Sequence, residues 1–367
     1  MKYACLLGIV LWIGFSATCQ PREKLKKDKF NSSKFETYTV EVKKKWFDSL
    51  EVKFPFSISF IDARADTGKL GFIRAGNDNS FFNMAFPEKS SSYLNSSITR
   101  FSKAVNNNDR LFVVIRHLWM SQLIVKADLS KALFTAAQKP EFLSYCYLNA
   151  EYYFGNSNEA KHIGNLDTLF RIKKWIGNVT DDLIKEALTT ILSEGDTLLA
   201  VKNTGLKNLS GRQFFDTICR PFNCPILEAS NPQKGIYLNY DQFLKNTPSI
   251  GEFEIRKNKD ETYIFSGSVD NALTKDAWGY SNGIDVFMHI NDDYYKMIRV
   301  QNTYELAGPR KVNRLYTGKE AFLHILESRI LGGIVKGGVS VMLVLSDESM
   351  MRELVPYQLN MKEGTLY

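Results

Sequence analysis

The sequence predicts an α+β fold, with helices packed on a mainly antiparallel sheet, followed by a smaller β-rich meander domain. Segments of alternating apolar and polar residues, the pattern of half-buried strands, recur along the chain between turn-prone residues. Two stretches instead have apolar residues at helical spacing. The residues after position 19 suffice for two domains, and an apolar content of 44 % with 13 % aromatic residues excludes large-scale disorder.

Residues 1–19 have the pattern of an export signal peptide. A short cationic start precedes the apolar run 4–15, and small or polar residues follow it. The run is too short for a spanning helix, which needs about 20 apolar residues. Cleavage after Cys19 would release a periplasmic, outer-envelope or secreted protein. Lipidation of Cys19 would give an anchored lipoprotein instead, although Ser16 and Thr18 fit the usual lipobox poorly.

Residues 20–45 are predicted to form a basic tether. Between Arg22 and Lys45 there are nine basic and four acidic residues, whereas the chain from Trp46 onward holds 37 basic and 36 acidic residues. The net charge of +7 therefore does not indicate a nucleic-acid partner. The tether either contacts an anionic envelope or membrane surface or remains a solvated linker.

Residues 46–200 are assigned to the α+β domain. The alternating segments 37–42 and 54–61 come first, and 54–61 is expected to form a hairpin with 70–73. An amphipathic helix over 94–105 and a central strand at 111–115 follow. Longer strands are predicted at 142–154 and 166–176, with a polar loop at 155–164 between them. The last element is a helix that begins at the N-cap Thr180.

The rest of the chain divides into three parts. Residues 201–234 hold three prolines and are interpreted as a connector. Residues 235–310 form the small β-rich domain, and 311–367 a C-terminal helix and a Gly-rich apolar segment. Within that segment, 330–345 is too short to span a bilayer and contains Lys336. A buried hairpin or helix is expected there, with membrane contact as the alternative.

The cysteines suggest one local disulfide. Cys219 and Cys224 flank a short turn-prone loop and could be joined in an oxidising compartment. Cys146 alternates with aromatic residues and is interpreted as a small buried hydrophobe. No second cysteine pair or nearby histidine supports a metal site, and neither a metal nor a cofactor is expected.

Asp62, Arg64 and Asp66 are the first candidate site. If the preceding strand continues, period-two alternation places the three side chains on one face. Two carboxylates beside a guanidinium could hold a cation or a polar ligand, or act as an acid–base pair. In the alternative interpretation, Arg64 only neutralises the two carboxylates.

His117 and Glu151 are further candidates for a catalytic role. His117 follows the predicted central strand and could form a nucleophilic pair with Cys146. Glu151 lies in an aromatic-rich strand and could serve a hydrolase. A structural role is the alternative for each.

Trp278, Tyr280 and Tyr294 are candidate ligand-binding residues. Aromatic side chains exposed near glycine can form a stacking surface for sugar rings. In half-buried strands, however, aromatic residues usually pack in the core and in cross-strand pairs.

Several short segments resemble uncharacterised exported proteins of Bacteroidota. They are 62–72, Leu118-Trp119, 150–153, 277–283 and 357–361, and they spread along most of the chain. The similar proteins often have Cys and Asp where this chain has Ser281 and Asn282, so a thiol or metal role for that turn is not expected. The resemblance implies export and supplies no activity.

Together these observations predict an exported non-enzymatic protein with a structural or interaction role. A ligand-binding module that uses the aromatic residues is the first alternative. The second is an exported hydrolase with a carboxylate site.

Overall fold

The computed structural model describes residue 25 and the ranges 29–47, 54–75, 80–98, 108–126, 141–174, 179–201, 208–257, 263–266, 277–291, 293–309 and 354–367. These residues form two large sheets, a separate two-stranded hairpin and several helices. The predicted α+β class is confirmed.

The first sheet has eight strands in the order β1-β4-β3-β5-β6-β7-β8, with β2 also paired to β5. Its strands are β1 Thr37–Thr39, β2 Ser57–Asp62, β3 Gly71–Ala75, β4 Ser80–Ala85, β5 Arg110–Lys126, β6 Glu141–Gly155, β7 Glu159–Lys174 and β8 Asn208–Ser210. The long strands β5, β6 and β7 are antiparallel neighbours and form the centre of the sheet.

Strands β2 and β3 lie one after the other along the same edge of β5. β2 runs parallel to the first residues of β5, from Ser57 beside Arg110, and β3 rejoins the same edge at Met120. The predicted hairpin of 54–61 with 70–73 is therefore wrong, and β3 forms its hairpin with β4. β5 has 17 residues and is long enough to pair with both short strands.

Gly71 makes this return to the sheet possible. Its φ is +141°, which L side chains rarely adopt, and a Cβ atom there would lie 1.9 Å from the Met120 carbonyl oxygen. The intervening loop 63–70 leaves the sheet between the two strands, and it carries most of the first candidate site.

Helices α1 Ser90–Ile98 and α2 Val179–Ala200 cover one face of the first sheet. The predicted apolar face of α2 is buried in the core, namely Leu183, Ile184, Ala187, Leu188, Ile191 and Leu192. Each of these leucine and isoleucine side chains contributes about 1.5–3 kcal/mol of burial free energy. Asp181 and Asp182 lie in the first turn, where carboxylates favour the helix dipole. Thr180 lies inside the helix and is not its N-cap.

Two sequence boundaries are corrected in the first sheet. The predicted loop 155–164 is a short turn, because β7 already begins at Glu159. Exposed polar side chains at the start of β7 obscured the strand pattern. The second correction is the tether. Phe30 and Val40 are buried and β1 pairs with β4, so the lysine-rich composition concealed a structured segment.

The second sheet is an antiparallel meander in the order β17-β16-β15-β14-β13-β12-β9. Its strands are β9 Gly235–Tyr237, β12 Gly279–Ser281, β13 Val286–Ile290, β14 Asp293–Val300, β15 Thr303–Pro309, β16 Leu354–Asn360 and β17 Thr365–Leu366. The β-rich unit thus extends beyond residue 310, and the described part of the predicted C-terminal helical segment is strand.

The remaining elements are short. A hairpin consists of β10 Glu254–Lys257 and β11 Tyr263–Ser266. The predicted connector holds helix α3 Gly211–Gln213, a π-helix over Phe214–Ile218 and helix α4 Pro225–Glu228, and α5 Tyr240–Lys245 follows β9.

The predicted signal peptide with Cys19 and the apolar segment 330–345 lie outside the described residues. Among the helices that the structure describes, none combines the length and the apolar character needed to cross a membrane.

Candidate functional site

Loop 63–70 is organised around the Arg64 side chain. Arg64 and Asp62 form a two-pronged ion pair, with Nε to Oδ1 and Nη2 to Oδ2 both 2.8 Å. Both side chains are about 95 % buried, at 4 % and 5 % exposure. Such a fork-to-fork pair fixes orientation as well as charge.

The other donors of Arg64 bind groups of the loop and its surroundings. Nη1 donates to the carbonyl oxygens of Lys69 at 2.6 Å and Leu118 at 3.2 Å. Nη2 donates to Ser90 Oγ at 2.7 Å and to the Thr67 carbonyl at 3.3 Å. Arg64 therefore shapes the loop and connects it to β5 and α1, and of the two carboxylates it pairs with Asp62.

Asp66 does not join the Asp62–Arg64 pair, because the strand ends at Asp62 and the predicted alternation stops there. Its Oδ1 accepts a hydrogen bond from the Gly68 amide at 2.8 Å. Its Oδ2 is buried and has no hydrogen-bond partner among the described residues. A buried carboxylate oxygen without a hydrogen-bond partner destabilises the folded state, so its presence requires an explanation.

The loop also contacts the second sheet at the turn between β14 and β15. The Asn302 amide donates to the Ala65 carbonyl at 3.2 Å, and the Thr67 amide donates to Gln301 Oε1 at 3.2 Å. Gln301 has a left-handed φ of 51°, as a tight turn requires. These contacts place one sheet's loop against the other sheet's turn.

A buried polar cluster completes this interface: Ser32, Lys69 and Glu305. Lys69 Nζ lies 2.8 Å from Glu305 Oε1, 3.1 Å from Oε2 and 2.8 Å from Ser32 Oγ. The Ser32 hydroxyl donates to Glu305 Oε2. Burial raises the pKa of Glu305, while the charge of Lys69 and the hydrogen bonds from Lys69 and Ser32 oppose that rise.

Glu151 belongs to a second ion pair on the same sheet. Arg116 donates to its two oxygens at 3.0 and 2.9 Å, and the Tyr153 hydroxyl donates to Oε2 at 2.9 Å. Burial would raise the pKa of Glu151, but the hydrogen bonds and charge of Arg116 outweigh it, so the net shift is downward. Arg116 also donates to the Arg220 carbonyl at 3.1 Å, which holds the connector against β5.

His117 and Cys146 lie on opposite faces of the sheet, so they cannot form the nucleophilic pair considered above. His117 is opposite Asn149 on β6 and packs near the rings of Tyr147 and Tyr367. Cys146 is opposite Met120 and lies in the core under α2. Burial raises the pKa of the Cys146 thiol.

The aromatic residues proposed as a stacking surface are buried. Trp278, Tyr280 and Tyr294 are 4 %, 3 % and 4 % exposed. Trp278 stacks on Phe243 with ring centroids 4.3 Å apart, and Tyr280 stacks on Phe287 at 4.6 Å. The exposed-platform hypothesis is wrong, because Trp278 packs against helix α5 and Tyr280 against its cross-strand neighbour Phe287.

Cys219 and Cys224 are free thiols in this structure, so the disulfide allowed by their spacing is not formed. Cys219 is half-buried near the Arg116–Glu151 pair, and burial raises its pKa to about 11, with Arg116 opposing the rise. Cys224 is buried at the N-terminus of α4.

Sequence reasoning missed the roles of Ser32, Lys69 and Glu305. The available signal was Glu305, a lone acidic residue in the otherwise apolar run 304–307. A buried charge requires a partner. That partner comes from a loop 236 positions away, which no local pattern reveals.

No family model and no curated protein matches the chain. A crystal structure of a Xanthomonas campestris protein of the family DUF330 is 14 % identical, covers 45 % of this chain and 95 % of that chain, and gives a TM-score of 0.26. A crystal structure of an uncharacterized protein is 10 % identical, with 45 % and 96 % covered and a TM-score of 0.20. Scores this low transfer no property to this chain.

Proposed function

We propose that the chain is an exported envelope or secreted protein with a structural or interaction role. The observation that carries the proposal is that the residues of the candidate site make structural contacts within the protein. Both carboxylate oxygens of Asp62 accept hydrogen bonds from Arg64. The loop that Arg64 orders contacts the second sheet through the ion pair of Lys69 with Glu305. Asp62, a candidate for chemistry on a substrate, instead anchors through Arg64 the loop that contacts the second sheet.

The sequence supports the export part of this proposal. Residues 1–19 carry the signal-peptide pattern, and the segments similar to exported Bacteroidota proteins point to the same compartment. Release after Cys19 is the preferred outcome, with lipid attachment at Cys19 as the alternative. The basic residues near the start remain proposed contacts for an anionic envelope surface.

The test is expression of the full chain with its leader in a bacterial host, followed by fractionation and intact-mass measurement. We expect a processed protein outside the cytoplasm that begins at Gln20. A diacylglycerol-modified Cys19 would identify the lipoprotein form, and Cys19→Ala would then lose the lipid mass. Recovery of the unprocessed chain from the cytosol would contradict export.

A further inference from the structure

The ion pair of Lys69 and Glu305 has the geometry of two groups that can react with each other. The Lys69 amine faces both oxygens of the Glu305 carboxyl, at 2.8 and 3.1 Å. Glu305 is fully buried and the Lys69 side chain is 14 % exposed. We propose that Lys69 and Glu305 become joined by an intramolecular amide bond that links the two sheets covalently. This modification does not depend on the proposed function.

Proximity lowers the barrier to such a bond. Holding two reactants in a productive orientation gives effective concentrations that reach about 10⁵–10⁸ M. The fold holds this contact on both sides. Lys69 follows the Arg64-ordered part of the loop, and Glu305 lies on β15 next to the turn that binds Ala65 and Thr67.

Burial favours the protonated carboxyl that the reaction needs. An amine attacks a carboxylic acid and not a carboxylate, and a low-dielectric surrounding disfavours the charged form of the Glu305 carboxyl. Burial accordingly raises the pKa of Glu305, against the opposing charge of Lys69.

We assign the proton transfer of this reaction to Asp66, which lies in the same loop as Lys69. Its Oδ1 accepts a hydrogen bond from the amide of Gly68, the residue before Lys69, at 2.8 Å. Its Oδ2 is buried with no hydrogen-bond partner among the described residues, so its lone pairs are available. A buried carboxylate in this position can act as general base and then as general acid.

The step is balanced without any external reactant. The Lys69 ammonium gives one proton to Glu305, which leaves a neutral amine and a carboxylic acid. The amine nitrogen attacks Cδ, and the carbonyl electron pair moves to Oε2, where the Ser32 hydroxyl donates a hydrogen bond. Asp66 takes a proton from the nitrogen and passes it to the hydroxyl on Cδ. The C–O bond breaks, one water leaves, and Asp66 returns to its starting state.

The experiment is peptide mapping of the purified mature protein. We expect one linked peptide that joins the Lys69 and Glu305 segments, and an intact mass one water below the mass of the unmodified mature chain. Lys69→Arg keeps the positive charge but cannot form the amide, so it should have the full mass. Asp66→Asn keeps the side-chain size and should lower the linked fraction at least tenfold at equal times after synthesis. Lys43→Arg is the matched control, because Lys43 pairs with Asp181 at the protein surface, and it should remain fully linked.

Recovery of separate, unmodified Lys69 and Glu305 peptides from the wild-type protein would overturn the proposal. This readout needs no variant to fold. A water lost elsewhere in the chain, with these two peptides still separate, would overturn it equally. Linkage that persists in Asp66→Asn at the wild-type rate would remove Asp66 from the mechanism.

Discussion

The Tyr367 ring stacks on the Tyr147 ring, with centroids 4.9 Å apart and planes inclined by 17°. Tyr147 lies on β6 of the first sheet, and Tyr367 directly follows β17 of the second. The Tyr367 amide and carbonyl also pair with Gln358 on β16, so this ring contact is anchored in the second sheet. Together with the Lys69–Glu305 pair, it joins the sheets at two separate places.

The stacked pair predicts a measurable contribution to stability. Tyr367→Ala should lower the free energy of unfolding by about 2 kcal/mol, since it removes both burial and an aromatic contact. Chemical denaturation followed by tyrosine and tryptophan fluorescence provides the measurement. Lys362→Ala, at an exposed residue of the same terminal segment, is the control and should change stability by less than about 0.5 kcal/mol. Equal effects in the two variants would show that the stacking contributes nothing.

Removal of the Arg64 side chain should lower the free energy of unfolding by more than Tyr367→Ala does. Arg64→Ala leaves Asp62 buried without its charge partner and frees four accepting groups, so we expect a loss of about 3–5 kcal/mol. Arg212→Ala provides the comparison, because Arg212 pairs with Asp216 at 92 % exposure and should lose less than about 1 kcal/mol. Thermal unfolding of both variants beside the wild type decides the matter. A small effect of Arg64→Ala would mean that the loop does not depend on its guanidinium.

The ion pair of Glu151 with Arg116 should make the free energy of unfolding depend on pH. Its folded pKa is lowered because the Arg116 hydrogen bonds and charge outweigh burial. A carboxyl whose pKa is lower in the folded state adds stability above its unfolded pKa and loses it as pH falls through the folded value. The stability difference between wild type and Glu151→Gln should therefore shrink when pH falls from 7 to below 4.5.

Glu159→Gln is the matched control for this measurement, because Glu159 is exposed at the start of β7. Its stability difference from wild type should stay near zero across the same pH range. Urea denaturation at a series of pH values measures both. A constant difference for Glu151→Gln would show that its carboxylate is not stabilised by Arg116.

Elements with a strong local pattern were predicted correctly. The buried face of α2 follows from helical spacing, and the alternation at 142–154 identifies β6 within one residue at each end. Burial of Cys146 also follows from its alternation with aromatic neighbours.

Long-range pairing could not be read from the sequence. The turn-prone residues 66–69 predict a hairpin, yet the flanking strands β2 and β3 both pair with the same edge of β5 and not with each other. The aromatic residues Trp278 and Tyr280 fit a stacking surface and a packed meander equally well by composition, and only the neighbouring strands decide between the two.

The placement of β2 and β3 along one edge of β5 has a consequence for synthesis of the chain. Ser57 pairs with Arg110 and Asp62 with Ile115, so β2 leaves the ribosome well before its partner exists. The β6–β7 hairpin, in contrast, is joined by three residues and can close as soon as it emerges. Pairing of β2 with β5 therefore has to close a longer loop than either the β3–β4 or the β6–β7 hairpin.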